Sequence, residues 1–89
     1  MNLQLAAWNV RTLLDSPDRH ERRSAIVARE LARYSVDIAA LSETRISGTN
    51  EFVEHGAGYT FYTCGFPDGQ PRQQGVGFAI KNSLCFPFS

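Results

Sequence analysis

Two polar residues close apolar, alternating segments, where a sheet would present them to a ligand. Asn9 follows Trp8 near the end of Leu3–Val10, and Glu43 follows Ser42 at the end of Val36–Glu43. If the two segments are parallel neighbouring strands, both residues share the carboxyl edge of one sheet, on strands about 4.8 Å apart. Ligand sites in α/β sheets favour that edge. A carboxylate and a carboxamide there form part of a shell for a hard divalent cation. Mg²⁺ takes oxygen ligands, keeps several waters, and is often held by one or two carboxylates plus substrate phosphate. The carboxamide can also donate to a phosphate oxygen or hold a nucleophilic water. Spacing alone leaves open that each residue merely closes a strand or caps a turn.

The elements that must position this pair follow from periodicity. In the first segment Leu3, Leu5 and Ala7 alternate with Gln4, Ala6 and Trp8, which predicts a strand. Ser16-Pro17-Asp18 starts a helix, with Glu21 placed to complete a capping box. From Arg19 to Tyr34 the residues Val27, Leu31 and Tyr34 form one apolar stripe, with Ser24, Ala28 and Ala32 beside it. The nearly unbroken apolar run into Ser42 predicts a central strand covered on both faces. Strand, helix and strand within about 40 residues make a βαβ unit with parallel strands. Thr44 to Gly58 reads as a polar loop with a short helical turn near Glu51–Glu54. Tyr59–Cys64 and Val76–Ile80 predict two further strands, antiparallel to each other across a Pro- and Gly-containing loop. Trp8, Phe61, Tyr62 and Phe78 read as core residues.

Composition bounds the function classes. With 89 residues the chain makes one domain at most, too small for a large two-layer enzyme with clefts on both sides. A hydrophobic fraction of 43% with 20% charged residues excludes a disordered tail. Nine basic residues cancel nine acidic ones, which argues against a stand-alone nucleic-acid-binding module despite Arg19, Arg22, Arg23, Arg29 and Arg33 on the helix. Cys64 and Cys85 form neither a disulfide framework nor a metal-ligand pair, and read as reduced thiols. No leader pattern and no membrane-spanning apolar run is visible. An intracellular address, nuclear or cytoplasmic, is expected.

The literal residues add a resemblance. Trp8-Asn9-Val10, then Asp37-Ile38-Ala39-Ala40-Leu41-Ser42-Glu43-Thr44, then Gly75-Val76-Gly77-Phe78-Ala79-Ile80, resemble the amino-terminal part of the endonuclease/exonuclease/phosphatase superfamily in order and spacing. Within it the sequence is most similar to endonuclease domains of non-long-terminal-repeat retrotransposons and to craniofacial development protein 2-like proteins. The likeness covers about residues 3–84, leaving 85–89 as a divergent end of a truncated domain spanning 1–89. It implies part of a four-layer α/β sandwich, built here from an amino-terminal βαβ unit plus a β-hairpin. It also implies cleavage of phosphodiester or phosphomonoester bonds with Mg²⁺ or Mn²⁺. Asn9 would position phosphate and water, Glu43 would be a metal ligand, and Arg45 and Arg72 would touch nucleic-acid backbone, most simply DNA.

The resemblance is incomplete in its chemistry. The family pattern also needs a central Asp-x-Asn, a later Asp and a Ser-Asp-His, and none occurs here. His20 and His55 lack that context and read as surface residues. The leading expectation is therefore an amino-terminal part of a Mg²⁺-dependent phosphodiesterase or endonuclease, inactive alone. The alternative is a non-catalytic interaction remnant, pairing through an exposed sheet edge with itself or with the missing half of the domain.

Overall fold

The computed structural model describes residues 2–14, 22–65 and 75–84. It contains β1 (Leu5–Asn9), α1 (Arg23–Arg33), β2 (Ile38–Ser42), β3 (Thr49–Glu54), β4 (Tyr59–Cys64) and β5 (Val76–Lys81), followed by a 3-10 turn, Asn82–Leu84. The strands form one sheet in the order β1-β2-β5-β4-β3. β1 and β2 run parallel, and the other three pairings are antiparallel. A parallel pair cannot be closed by a tight turn, so the chain returns through α1. This is a small α/β domain, consistent with part of an α/β sandwich. Among the described residues no helix is long and apolar enough to cross a membrane.

Alternation along the strands divides the sheet into two unlike faces. On one face Ala6, Trp8, Ala39, Leu41, Phe61 and Ala79 join a core with Val27, Ala28 and Leu31 of α1. Those helix residues recur at the spacing of one helical stripe, with Ser24 one turn earlier. On the other face the register sets Ala7, Ala40, Phe78, Tyr62 and Glu51 side by side in one row across all five strands. No described helix covers that row.

α1 ends in a hydrogen-bonded left-handed turn. Ser35 has φ 56°. Its N–H donates to the Ala32 carbonyl at 3.0 Å, and the Val36 N–H donates to the Leu31 carbonyl at 2.9 Å. This is the Schellman arrangement, and Leu31 and Val36 are both in the core. Val36 also accepts a hydrogen bond from the buried Tyr59 hydroxyl, whose pKa is raised by burial and by nearby Asp37. At the other end of the helix Arg22 is the N-cap and makes no side-chain cap. Its guanidinium instead reaches the buried Glu54 carboxylate through Nε at 3.0 Å and Nη2 at 2.9 Å. The Ser24 hydroxyl donates to the same carboxylate at 2.5 Å. The hydrogen bond from Arg22 holds Glu54 below the usual carboxylate range against the opposing effect of burial, with Ser24 adding to it.

Several sequence expectations need correction. The segment expected as a helical turn near Glu51–Glu54 is strand β3, in which Phe52 stacks on Phe61 of β4 at 5.2 Å. Its inward positions include Asn50 and Glu54, so its alternation is not one of apolar against polar. β2 is an interior strand but, among the described residues, is covered on one face only, and Ala40 is exposed. Tyr62 and Phe78 are exposed on the open face and are not core. The described helix begins at Arg23, while the expected caps Ser16, Asp18 and Glu21 lie outside the described residues, as do Arg19, His20 and Cys85.

Two stability measurements follow. Glu54 is more acidic folded than unfolded, so its contribution is complete above the unfolded pKa of about 4.3 and is lost as pH falls through the folded value. Glu54→Gln should lower unfolding free energy at pH 7 by about 2 kcal/mol and flatten the acid limb of a urea-midpoint-against-pH curve. Ser35→Gly should raise stability by about 0.5–1 kcal/mol in urea melts, because glycine accepts positive φ without steric cost.

Candidate active site

The parallel register brings the two sequence-selected positions to one end of the sheet. Asn9, the last residue of β1, lies opposite Ser42, the last residue of β2. The Val10 N–H donates to the Ser42 carbonyl at 3.1 Å, carrying the ladder one residue further. The chain then turns at Arg11, with φ 63°. The Arg11 N–H donates to Asn9 Oδ1 at 3.1 Å. This local turn occupies the carboxamide oxygen and leaves the amide NH₂ as the group available to an acceptor.

Glu43 follows Ser42 directly, but it does not continue the strand. Its φ is 55° and that of Arg45 is 58°, with Thr44 fully buried between them. Left-handed backbone at a non-glycine residue costs about 1–2 kcal/mol, and such positions persist where their surroundings over-determine them. Here the determinants are visible. The Thr44 carbonyl accepts the Leu13 N–H at 2.8 Å, and the Thr44 N–H donates to the Gly75 carbonyl at 3.2 Å. Thr44 is thus gripped by the loop after β1 and by the start of β5. A regular strand would turn Glu43 to the face opposite Ser42 and Asn9, and the left-handed residue breaks that alternation. Glu43 is half-buried.

Gly75 makes this approach possible. Its φ is 121°, and a Cβ on it would stand 2.6 Å from Thr44 Oγ1 and 3.2 Å from the Arg45 nitrogen. Among the described residues the buried Thr44 hydroxyl has no hydrogen-bond partner, nor do the buried Arg45 Nε and Thr63 hydroxyl. Sequence reasoning selected Asn9, Glu43 and Arg45 and missed the clamp on Thr44. A glycine opening a strand was the one signal that could have pointed to a close backbone approach. Arg45 is half-buried in the turn, and Arg72 lies outside the described residues. His55 sits in an exposed turn between β3 and β4, at the opposite end of the sheet.

The model of the Endonuclease/Exonuclease/phosphatase family matches residues 6–88. The chain belongs to this family. Searches of curated proteins and of solved structures return no match. The endonuclease/exonuclease/phosphatase family is a hydrolase family and is generally dependent on a divalent metal. Among the described residues no three His, Cys, Asp or Glu side chains converge. The donors at this sheet end therefore fit a hard cation held by one carboxylate, Glu43, and otherwise by water and substrate oxygens.

The clamp can be tested by contrast between glycines. Gly48 also has positive φ, but a Cβ there meets nothing within 4 Å. Gly48→Ala should cost about 1 kcal/mol from backbone strain alone. Gly75→Ala should cost at least about 2 kcal/mol, because the Cβ also forces Thr44 away; paired thermal melts would show the difference.

Proposed function

We propose that this chain supplies the phosphate-facing and cation-facing half of a phosphodiester-hydrolysing site that acts on nucleic acid, DNA in the first place, and that alone it has little or no activity. The observation that carries the reading is the juxtaposition of Asn9 with the clamped turn bearing Glu43, at one end of β1 and β2, in a chain of this family. The Asn9 NH₂ donates to a phosphate oxygen and orients it, while its own oxygen stays in the Arg11 turn. Glu43 is the ligand for Mg²⁺ or Mn²⁺, held in place by a backbone fixed before any ligand arrives. The cation, when bound, supplies charge stabilisation on the phosphate and leaving group. Arg45 lies in the turn directly after Glu43 and meets a flanking phosphate; Arg72, the other arginine expected at nucleic-acid backbone, is outside the described residues. The resemblance to retrotransposon-type endonucleases and craniofacial development protein 2-like proteins favours nucleic acid over a small phosphoester.

Inactivity follows from the missing base. Water attack needs a group within hydrogen-bond reach of its proton. Among the described residues the one histidine, His55, is at the far end of the sheet. No Ser-Asp-His occurs anywhere in the chain.

Two readouts separate the parts of this proposal. Mn²⁺ titration followed by electron paramagnetic resonance should give binding that Glu43→Gln weakens roughly tenfold; binding indifferent to that change removes Glu43 as the ligand. Incubation with supercoiled plasmid and Mg²⁺ should give no nicking above the blank. Robust nicking that Glu43→Ala abolishes would contradict the claim that the chain is inactive alone.

A further inference from the structure

We infer that Arg23, the first residue of α1, is a positioning residue for the turn that carries Glu43. It acts through one peptide unit in the loop after β1. Arg23 Nε donates to the Thr12 carbonyl at 3.3 Å. The N–H of that same peptide unit belongs to Leu13, and it donates to the Thr44 carbonyl at 2.8 Å. A trans peptide is planar, with its C=O and N–H pointing in opposite directions. Fixing the oxygen therefore fixes the direction of the N–H. A cationic donor on the carbonyl also polarises the unit and strengthens its N–H as a donor.

The far side of this contact sets the site. Leu13 holds the peptide between Thr44 and Arg45, and Gly75 holds the peptide between Glu43 and Thr44. Both peptides lie between the left-handed residues Glu43 and Arg45. Release of the first leaves one anchor for a conformation held by two. Arg23 thus stands two hydrogen bonds from Thr44 and acts on Glu43 through backbone.

Other observations set Arg23 apart from a solvated helix charge. It is half-buried. Its neighbours Arg22 and Ser24 both hold the buried Glu54 carboxylate, so the backbone that carries Arg23 is itself anchored to β3. Its charge also stands at the wrong end of the helix. A cation in the first turn opposes the helix macrodipole, and α1 has no acidic residue in that turn to offset it. A residue that breaks a local preference is expected where tertiary contacts need it. The loop is folded to meet it. Thr12 Oγ1 accepts the Leu14 N–H at 3.0 Å, a turn around Leu13, whose side chain is in the core. The effect on cation binding rests on the reading of Glu43 as the ligand; the coupling of Arg23 to the turn does not.

The test uses the 89-residue chain with two substitutions. Arg23→Met keeps the apolar stem and removes the donor, and Arg23→Lys keeps a cationic donor. Amide exchange of Leu13 and the HN–Hα couplings of Glu43 and Arg45 are read by NMR without metal. Mn²⁺ affinity is read by electron paramagnetic resonance. Arg23→Met should speed Leu13 exchange roughly tenfold, change the Arg45 coupling, and weaken Mn²⁺ binding about three- to tenfold. Arg23→Lys should recover most of each loss. The direction is decisive, because removing a positive charge by itself tightens cation binding. Arg33→Met removes a charge from the other end of α1, where Arg33 pairs with Glu30 at 3.7 Å, and should leave Leu13 exchange unchanged. Unchanged Leu13 exchange in Arg23→Met overturns the inference. So does faster exchange with Mn²⁺ binding that still depends on Glu43 but holds or tightens. If Mn²⁺ binding is indifferent to Glu43→Gln, the ligand reading fails, and Leu13 exchange with the two couplings still decides whether Arg23 positions the turn. Where Arg23→Met does not fold, the unsubstituted chain decides: an Arg23 Nε–H that exchanges with solvent as fast as that of Arg33 overturns the inference, and a protected one supports it.

Discussion

Hydrogen bonds on both edges of β2 hold this protein together as one sheet. One edge pairs in parallel with β1, and the other pairs antiparallel with β5. Through the first, β2 carries the crossover unit that includes α1. Through the second, it carries the meander of β5, β4 and β3. No other described strand joins those two parts. The same registers fix which residues meet at each end. At one end stand Asn9, Ser42, Val76, Cys64 and Thr49, and at the other the chain is tied by Asp37 to Gln4 and by Tyr59 to Val36.

The packing energy comes from one side of that sheet. Among the described residues a single helix covers it, and the largest fully buried side chains are Tyr59, Phe61 and Thr44. A core this thin leaves a large role for directional contacts. The carboxylate of Glu54, with Arg22 and Ser24, ties the start of α1 to strand β3 at the sheet margin, where apolar contact is sparse. Burying that carboxylate is favourable because three donors meet it; without them the same burial would oppose folding.

Much of the architecture was legible because alternation and helical spacing are simple signals. The βαβ start and the antiparallel relation of β4 and β5 both follow from them. β3 was not legible, because Asn50 and Glu54 face inward and their burial depends on partners distant in sequence. The exposure of Tyr62 and Phe78 was hidden for a different reason: periodicity shows that a strand has two faces, but not whether anything covers the second. At the site, Asn9 and Glu43 were marked by closing apolar runs. The left-handed backbone at Glu43 and Arg45 carried no mark, since neither is the glycine or asparagine that usually adopts it. That conformation is imposed by Leu13 and Gly75, and no local window of sequence contains all of them.

The spread of those anchors has a kinetic consequence. Leu13, Thr44 and Gly75 are each about 31 residues from the next, yet they meet within two hydrogen bonds. Each closure carries the entropy cost of a long loop, and it is repaid only once the neighbouring ladders exist. The turn that bears Glu43 therefore belongs to the last stage of folding. Nascent or partly opened chains will hold helix and hairpin before they hold the clamped turn that carries Glu43.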